Sequence, residues 1–406
     1  MSIRRRQASP HWDTALGALV CALLVVGSLS IAITQITLGL GLALLLLRFA
    51  LTGRRPPRLG LEWPALALAA WAALMIPFST DPGQSLVFYR RFFLFAALWV
   101  GAAAAAGEGR RAWFMACLLA GAAISSLWGA GALLAETGSL FGRRLGQVSN
   151  PMTSGAVLMM AALAAGAVLL QRGLPGRLRA AVALCAVPIL GGLVLTVTRS
   201  AWFGLAAGGL AMLLVARPRL LLPAALGTVL LAAAILFAPD GLLPGRVARI
   251  TSAEYLTGGA STSRRLTMWR GGLAMVRDKP LTGVGDRDLR DVGPLYFAED
   301  PDFYHGHLHS NPVMLAAIWG LPGLALALVF LGSQVVLLWR RGRALDRAGV
   351  RAPPWAVVWT TAALGVWCGL FVAGLFEWYF GDAETQTLNL AIVGIALGAG
   401  TGVDHD

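Results

Sequence analysis

The sequence predicts an all-α membrane protein that crosses the bilayer about twelve times. Of its 406 residues, 57% are hydrophobic and only 13% are charged, whereas soluble domains carry about 25% charged residues. Segments such as 38–47 and 159–170 are apolar on every side rather than along one stripe. Such segments suit lipid or the interior of a helix bundle, so water is not the expected main solvent of this chain.

Twelve segments qualify as candidate spans, because a helix needs about 20 residues to cross roughly 30 Å of hydrocarbon. They are residues 12–29, 31–48, 62–78, 87–106, 112–134, 151–171, 179–197, 200–216, 219–238, 311–339, 355–376 and 385–401. The predicted organisation is therefore residues 1–238 with spans one to nine, a long extramembrane loop at 239–310, and residues 311–406 with spans ten to twelve.

Basic residues in the short loops predict the orientation. Cytoplasmic loops of membrane proteins are enriched in lysine and arginine. Every loop that follows an even-numbered span is basic, and the arginines concerned are Arg54, Arg55, Arg58, Arg110, Arg111, Arg172, Arg177, Arg179, Arg217, Arg219, Arg340, Arg341, Arg343, Arg347 and Arg351. Both termini are predicted to be cytoplasmic. This topology accounts for much of the net charge of +13 without a nucleic-acid partner.

Other arginines are predicted on the opposite, outer side of the membrane. The enrichment of basic residues in cytoplasmic loops does not explain them. Arg91, Arg144 and Arg199 stand at or near the ends of predicted spans. An arginine at membrane depth costs about 2.5 to 3.5 kcal/mol on insertion scales, so it normally faces a polar cavity, a partner or the interface. Guanidinium groups suit phosphate oxygens. These arginines therefore either bind an anionic substrate or contact lipid headgroups.

Two further arginines open a helix that is predicted inside the long loop. The hydroxyl run 261–263 offers N-cap residues for a helix that continues to about residue 277. Arg264 and Arg265 lie in its first turn, where the helix dipole and a guanidinium both favour an anion. Arg265 and Trp269 share one face. The alternative interpretation is a solvated arginine pair.

Three histidines alternate just before span ten. His305, His307 and His309 precede the apolar segment that begins at residue 311. Histidine accepts a proton near neutral pH, which suits a general base or a residue that positions an acceptor. The alternatives are solvated structural histidines, or a zinc site completed by acidic residues at 299–302.

Several familiar catalytic patterns are missing from the sequence. No Walker loop, Gly-x-Ser-x-Gly elbow or Cys-x-x-Cys pair occurs, so nucleotide-driven chemistry and hydrolase triads have no support. The four cysteines all lie in apolar runs without metal-ligand spacing. They are predicted to be small core residues without disulfides.

Four short motifs resemble those of the O-antigen ligase and O-antigen polymerase superfamily. In order, they are Thr198-Arg199-Ser200-Ala201, Ser263-Arg264-Arg265-Leu266-Thr267-Met268-Trp269, Asp278-Lys279-Pro280-Leu281-Thr282-Gly283-Val284-Gly285 and His307-Leu308-His309-Ser310. The resemblance is strongest over residues 196–320. The twelve-span layout with one long outer loop extends it to the whole chain and implies a GT-C-like architecture.

The resemblance implies a metal-independent, inverting glycosyltransferase that needs no cofactor. Such an enzyme moves a glycan from undecaprenyl diphosphate to an acceptor hydroxyl at the periplasmic face of the bacterial inner membrane. The favoured acceptor is the lipid A core oligosaccharide. The alternatives within the superfamily are an O-antigen polymerase and a protein O-oligosaccharyltransferase. A membrane transporter is the alternative of another class, although no internal repeat is evident in the sequence.

The resemblance also implies roles for single residues. Arg199 and Arg265 correspond to family arginines that would hold the diphosphate and act in catalysis, with Arg264, Arg144 and Arg91 as further diphosphate-binding residues. His309 corresponds to the histidine that opens span ten, where it would orient or deprotonate the acceptor hydroxyl. At Ser310 many relatives have asparagine, and this departure bears on the identity of the acceptor. No metal ligand is implied.

Overall fold

The computed structural model describes residues 10–146, 150–236, 260–297 and 306–398. Within these ranges the chain contains helices and no strand. The α-helices are α1 (Pro10–Val26), α2 (Ile31–Thr52), α3 (Glu62–Met75), α4 (Pro82–Tyr89), α5 (Ala96–Ala104), α6 (Glu108–Thr137), α7 (Pro151–Leu170), α8 (Gly176–Leu195), α9 (Arg199–Ala216), α10 (Leu221–Leu236), α11 (Ala260–Asp278), α12 (Gly293–Tyr296), α13 (Asn311–Ala348), α14 (Pro354–Gly374) and α15 (Ala383–Gly398). His305 and the acidic residues at 299–302 lie outside the described residues, as does much of the first half of the long loop.

The all-α polytopic class is confirmed. Eight helices in the described part of the chain are long and apolar enough to cross a membrane, and three shorter apolar helices accompany them. A helix lies in each of the twelve predicted segments. The fourth predicted segment, 87–106, contains the end of α4, the 3-10 turn Arg90–Phe95 and the helix α5. The count of twelve spans stays a prediction, because several of these helices are short.

Glycines bring α9 and α14 into close contact. A Cβ atom built on Gly204 would lie 2.6 Å from the carbonyl oxygen of Gly369, and one on Gly208 would lie 2.4 Å from that of Gly365. In lipid, helices associate through such small residues because no hydrophobic effect drives apolar helices together there. The contact holds the first turn of α9 beside the segment that follows α14.

The long helix α13 is kinked at Gly320, which has φ 69° and ψ −178°. The segment after α11 runs along the kink and pairs with it through backbone hydrogen bonds. Val284 N donates to Ala317 O at 2.8 Å, and Leu321 N donates to Pro280 O at 2.8 Å. The kink therefore anchors residues 280–284 of the long loop to the bundle.

We expect Gly320→Ala to destabilise the protein. The backbone conformation of Gly320 is one that almost only glycine adopts. Other residues that adopt it lose about 1 to 3 kcal/mol of stability. An added Cβ would also lie 2.3 Å from Leu281 O. The expected result is a lower melting temperature in detergent. Gly332→Ala in the same helix is the matched control, since nothing lies within 4 Å of a Cβ there. Equal melting temperatures for both variants would contradict the role given to the kink.

The charged residues of the short loops gather at the end of the bundle opposite His309. Arg48 Nη1 lies 2.8 Å from Asp13 Oδ1. Trp355 N donates to Glu108 Oε2 at 2.8 Å, and Arg217 Nη2 donates to Leu170 O at 2.9 Å. These contacts join the beginning of α1 to the end of α2, the beginning of α6 to that of α14, and the end of α7 to that of α9. The other ends of α7, α9 and α14 meet α13 and α15 around the candidate site.

Candidate active site at one end of the helix bundle

The turn between α8 and α9 is held in a strained conformation by Arg144. Val197 has a positive φ of 53°, which is a genuine outlier for a β-branched residue. Arg144 Nε donates to Thr196 O at 2.8 Å, and its Nη2 donates to Thr198 Oγ1 at 3.0 Å. The turn places the half-buried Arg199 at the first position of α9. Such strain persists only where surrounding contacts impose it.

The segment 375–382, between α14 and α15, packs over the N-termini of α7 and α9. Tyr379 Oη lies 3.3 Å from Ser200 Oγ and donates to Met152 O at 3.3 Å. The hydroxyl of Thr153 donates to the carboxylate of Asp382. Two helix N-termini thus point toward this segment, and helix N-termini favour negative charge.

Glu377 is a buried carboxylate at the centre of this region. Its side chain is 5% exposed, and its Oε1 lies 2.7 Å from His309 Nδ1 and 4.0 Å from His307 Nδ1. Oε1 also accepts a hydrogen bond from Trp378 N at 3.0 Å. The other oxygen, Oε2, lies 4.0 Å from Arg265 Nη2.

Opposing effects act on the pKa of Glu377. Burial raises the pKa of Glu377, but the hydrogen bond with His309, and after it the electrostatic interactions with His309 and His307, outweigh burial and lower this pKa below its ordinary value. Hydrogen bonds to the ionised form of a carboxylate stabilise it in this way. Glu377 is therefore the negative charge around which the candidate site is organised.

His309 is held in an unusual backbone conformation. Its φ is 47°, in the left-handed region, which is uncommon for a residue other than glycine. Trp269 Nε1 donates to Leu308 O at 3.2 Å, and Phe380 N donates to Asn311 Oδ1 at 2.9 Å. Contacts on both sides of His309 thus support a conformation that turns its ring toward Glu377.

The helix α11 brings Arg265 to the same carboxylate. Arg265 is 21% exposed, whereas Arg264 is exposed at the start of the same helix. One turn after Arg265, Trp269 contacts the segment that carries the histidines. A Cβ on Gly272 would lie 2.7 Å from Leu308 Cδ1, so this face of α11 packs closely. Arg265 and Trp269 do share a face, as the spacing predicts.

Arg91 approaches the site from its other side. Its Nε lies 3.2 Å from Asp286 Oδ2, and both side chains are largely buried. Its guanidinium carbon lies 5.6 Å from the centre of the Trp378 ring. Burial raises the pKa of Asp286, and the charge of Arg91 opposes this effect. Arg91 thus contacts the ring of Trp378, the residue that follows Glu377.

Four of the predicted site residues lie in two neighbouring parts of this region. Arg265 and His309 meet at Glu377. Arg144 and Arg199 lie at the neighbouring α8–α9 turn, which Tyr379 joins to the first part. Burial first, and then the negative charge of Glu377, raises the pKa of Tyr379, whereas the hydrogen bond with Ser200 and the charge of Arg265 act in the opposite direction. Tyr379 therefore interacts with Ser200 at the α8–α9 turn and with the charges of Glu377 and Arg265 in the other part.

Glu377 is not among the site residues that the sequence predicts. The predicted eleventh span ends at residue 376, one position before it. The signal available was a lone acidic residue between apolar and aromatic neighbours, in the run Phe376-Glu377-Trp378-Tyr379-Phe380. Because it follows an odd-numbered span, it falls on the same predicted side as His309.

Three of these groups stand close enough to hold a metal ion. One ligand atom from each of His307, His309 and Glu377 can be chosen so that all lie within 4.8 Å of one another. Two histidines and one carboxylate with an open position form a known catalytic zinc set. The prediction of metal-independent chemistry therefore needs an experiment.

Comparison with known proteins gives one family match. Residues 181–328 match the family model described as O-antigen ligase. The comparison with curated proteins finds no match. The match confirms the resemblance to the O-antigen ligase and O-antigen polymerase superfamily. The matched region includes Arg199, Arg264, Arg265 and His309, whereas Glu377 lies outside it.

Proposed function

We propose that this chain is an inverting glycosyltransferase that uses a lipid-linked donor. Its residues 181–328 match the family model described as O-antigen ligase. The family supports glycosyltransferase activity of the O-antigen ligase type. The proposed reaction moves a glycan from undecaprenyl diphosphate to a hydroxyl of the lipid A core oligosaccharide. The observation that carries the proposal is the meeting of Arg265 and His309 at one buried carboxylate within a membrane-embedded bundle.

The arginines are proposed to bind the diphosphate of the donor. Arg199 and Arg265 are the central pair, since they lie at the first turn of α9 and on the inward face of α11. The exposed Arg264 adds positive charge at the start of α11. Arg144 and Arg91 also contribute positive potential, and in addition Arg144 holds the α8–α9 turn and Arg91 holds Trp378 in place. Preorganised donors of this kind stabilise the charge that grows on a leaving group in a low-dielectric site.

His309 is proposed to act on the acceptor hydroxyl. As the acceptor oxygen bonds to the anomeric carbon from the face opposite the diphosphate, its proton passes to His309 Nε2. The bond between the anomeric carbon and the phosphate oxygen breaks, and its electron pair leaves with the undecaprenyl diphosphate. Attack from the opposite face inverts the anomeric configuration. No nucleotide takes part in this sequence.

The proposed location is the bacterial inner membrane, with both termini in the cytoplasm and the active site at the periplasmic face. The basic loops that predict the cytoplasmic side lie at the end of the bundle opposite His309. This arrangement supports the orientation, because an inverted protein would expose most of its loop arginines to the periplasm.

Two other acceptors and one other activity compete with this proposal. A polymerase would use a second lipid-linked glycan, and a protein O-oligosaccharyltransferase would use a hydroxyl of a protein. A transporter would move its substrate without any covalent change. The candidate site favours an enzyme over a transporter because its polar groups lie at one end of the bundle rather than near its middle.

The direct test is glycan transfer by the purified protein in liposomes. With labelled glycan on undecaprenyl diphosphate and lipid A core as acceptor, we expect labelled lipopolysaccharide to form, and a chelator such as EDTA to leave the rate unchanged. Labelled product that forms without lipid A core would favour a polymerase. Movement of the glycan without a covalent product would favour a transporter. A rate that EDTA abolishes and zinc restores would replace the metal-independent mechanism.

A further inference from the structure

A cavity of about 220 Å³ lies at the end of the bundle opposite His309. It is bordered by the last turns of α7, α9 and α13 and by the first half of α14. One water molecule needs roughly 10–15 Å³ of such a volume, so the cavity has room for an organic group. It lies apart from the candidate active site, and the proposed glycan transfer makes no use of it.

Two opposite charges line this cavity. The guanidinium of Arg217 donates to Ala216 O at 3.0 Å and to Leu170 O at 2.9 Å, and these bonds fix its place at the ends of α7 and α9. Asp346 lies near the end of α13. Neither Arg217 nor Asp346 forms an ion pair with a described residue. The cavity thus offers one cation and one anion to a ligand.

Neutral polar groups in the same cavity also lack partners. Thr361 is 6% exposed and lines the cavity, yet its hydroxyl makes no hydrogen bond with a described residue. The side chain of the half-buried Gln171 makes none with a described residue either. The hydroxyl of the adjacent Thr360, by contrast, donates to Ala356 O at 2.8 Å. Because buried polar groups are normally hydrogen-bonded, these groups indicate a polar ligand or water in the cavity.

We propose that this cavity binds the headgroup of phosphatidylethanolamine, a zwitterionic phospholipid. Its phosphate lies against Arg217 and its ammonium lies against Asp346, because hydrogen bonds between charged groups are the strong ones. An ammonium has three N–H donors, and the side-chain oxygens of Gln171 and Thr361 accept those that Asp346 leaves. This inference does not rest on the proposed glycan transfer.

The apolar part of the cavity favours a lipid over a soluble zwitterion. Ala167 and Leu364 line the cavity a turn or more away from the ends of their helices. Such residues suit the glycerol backbone or the start of an acyl chain, since burying apolar groups away from water is favourable. The cavity also lies at one end of a membrane bundle, where the headgroups of the bilayer are found.

Asp346 is the group that selects among phospholipids. Arg343 and Arg347 are exposed on the same end of α13 and attract any anionic lipid. A carboxylate that lines the cavity repels a headgroup with negative charge alone, such as phosphatidylglycerol, and attracts an ammonium. The quaternary nitrogen of phosphatidylcholine keeps the positive charge but has no N–H to donate. Phosphatidylethanolamine therefore fits the polar groups of the cavity best.

The test is lipid binding by the detergent-purified protein, measured by native mass spectrometry. The protein is titrated with phosphatidylethanolamine, phosphatidylglycerol and phosphatidylcholine of identical acyl chains, and with free glycerophosphoethanolamine. We expect phosphatidylethanolamine to give the lowest Kd, about tenfold below that of phosphatidylglycerol, which corresponds to one hydrogen bond between charged groups. Free glycerophosphoethanolamine should bind more weakly than the lipid, because it lacks the apolar contacts.

Two variants separate the two ends of the headgroup. Asp346→Asn should raise the Kd for phosphatidylethanolamine about tenfold and leave the Kd for phosphatidylglycerol level or lower. Arg217→Gln should weaken the binding of both lipids, because both carry a phosphate. Glu136→Gln is the matched control. It removes an exposed carboxylate that pairs with Arg143 at the other end of the bundle, and it should change neither Kd.

Each outcome decides the inference. Equal Kd values of the unaltered protein for phosphatidylethanolamine and phosphatidylglycerol overturn it, as does an unchanged Kd for phosphatidylethanolamine in Asp346→Asn. Equal Kd values for the lipid and for free glycerophosphoethanolamine overturn the choice of a lipid. If Arg217→Gln does not fold, Asp346→Asn still decides, since Asp346 is exposed and its replacement leaves the core unchanged. Failure of glycan transfer would overturn the proposed function and leave this lipid site standing.

Discussion

Replacing Arg265 with alanine is expected to abolish glycan transfer while the protein stays folded in the membrane. The guanidinium lies on the inward face of α11, 4.0 Å from Glu377, where it can hold a diphosphate and stabilise the charge that grows on it. An arginine that stabilises a phosphoryl group in a transition state is worth about 10³- to 10⁵-fold in rate. Removing the guanidinium also leaves the buried Glu377 carboxylate with one neighbouring cation fewer, which lowers the free energy of unfolding.

The measurement is the initial rate of labelled product formation in liposomes that contain equal amounts of folded protein. Arg277→Ala is the matched control, since Arg277 is an exposed arginine near the other end of the same helix. Arg265→Lys should recover only part of the rate, because an ammonium keeps the charge but lacks the planar fork. Near-normal transfer by Arg265→Ala would refute the assignment of the diphosphate site.

Replacing His309 with asparagine should lower kcat by about 10²- to 10⁴-fold, the usual contribution of general acid–base catalysis. The KM for donor should change little, because His309 is proposed to act on the acceptor. We expect the loss to be smaller than for Arg265→Ala, since a diphosphate is already a good leaving group. Single-turnover rates with preloaded donor would measure the chemical step directly.

The neighbouring histidine supplies the control for this experiment. His307 lies at 4.0 Å from Glu377 rather than at hydrogen-bond distance, so His307→Asn should retain most of the rate. A His309→Asn variant as active as His307→Asn would show that neither ring accepts the acceptor proton. Complete loss of transfer in both variants would favour the metal alternative if EDTA also abolishes transfer by the unaltered protein and zinc restores it.

Much of the fold could be predicted from the sequence because lipid imposes a strong local rule. Every backbone polar group in hydrocarbon must be bonded within its own segment, so a long apolar run becomes a helix. The predicted segments 151–171 and 355–376, for example, correspond to α7 (Pro151–Leu170) and α14 (Pro354–Gly374). The kink at Gly320 was not predicted, because it depends on the loop segment that packs against it.

The candidate site could be predicted only in part. Arg199, Arg265 and His309 were predicted because they stand in short motifs that resemble those of a known superfamily. Glu377 stands in no such motif, and its importance arises from a contact with His309 across 68 positions of sequence. Similarly, the sequence placed Arg91 and Arg144 on the outer side but did not reveal that they contact Asp286 and the α8–α9 turn.

By itself, the sequence determined that this protein is a helical bundle in a membrane. It also predicted that the arginines and histidines that loop charge does not explain follow odd-numbered spans. Hydropathy and loop charge are local properties, and they act on each segment independently of its partners. Only the tertiary structure decided that Arg265 and His309 meet at Glu377. That meeting depends on the close glycine contacts between helices, on the kink in α13 and on the strained backbone at His309, and these features exist only once distant segments pack together.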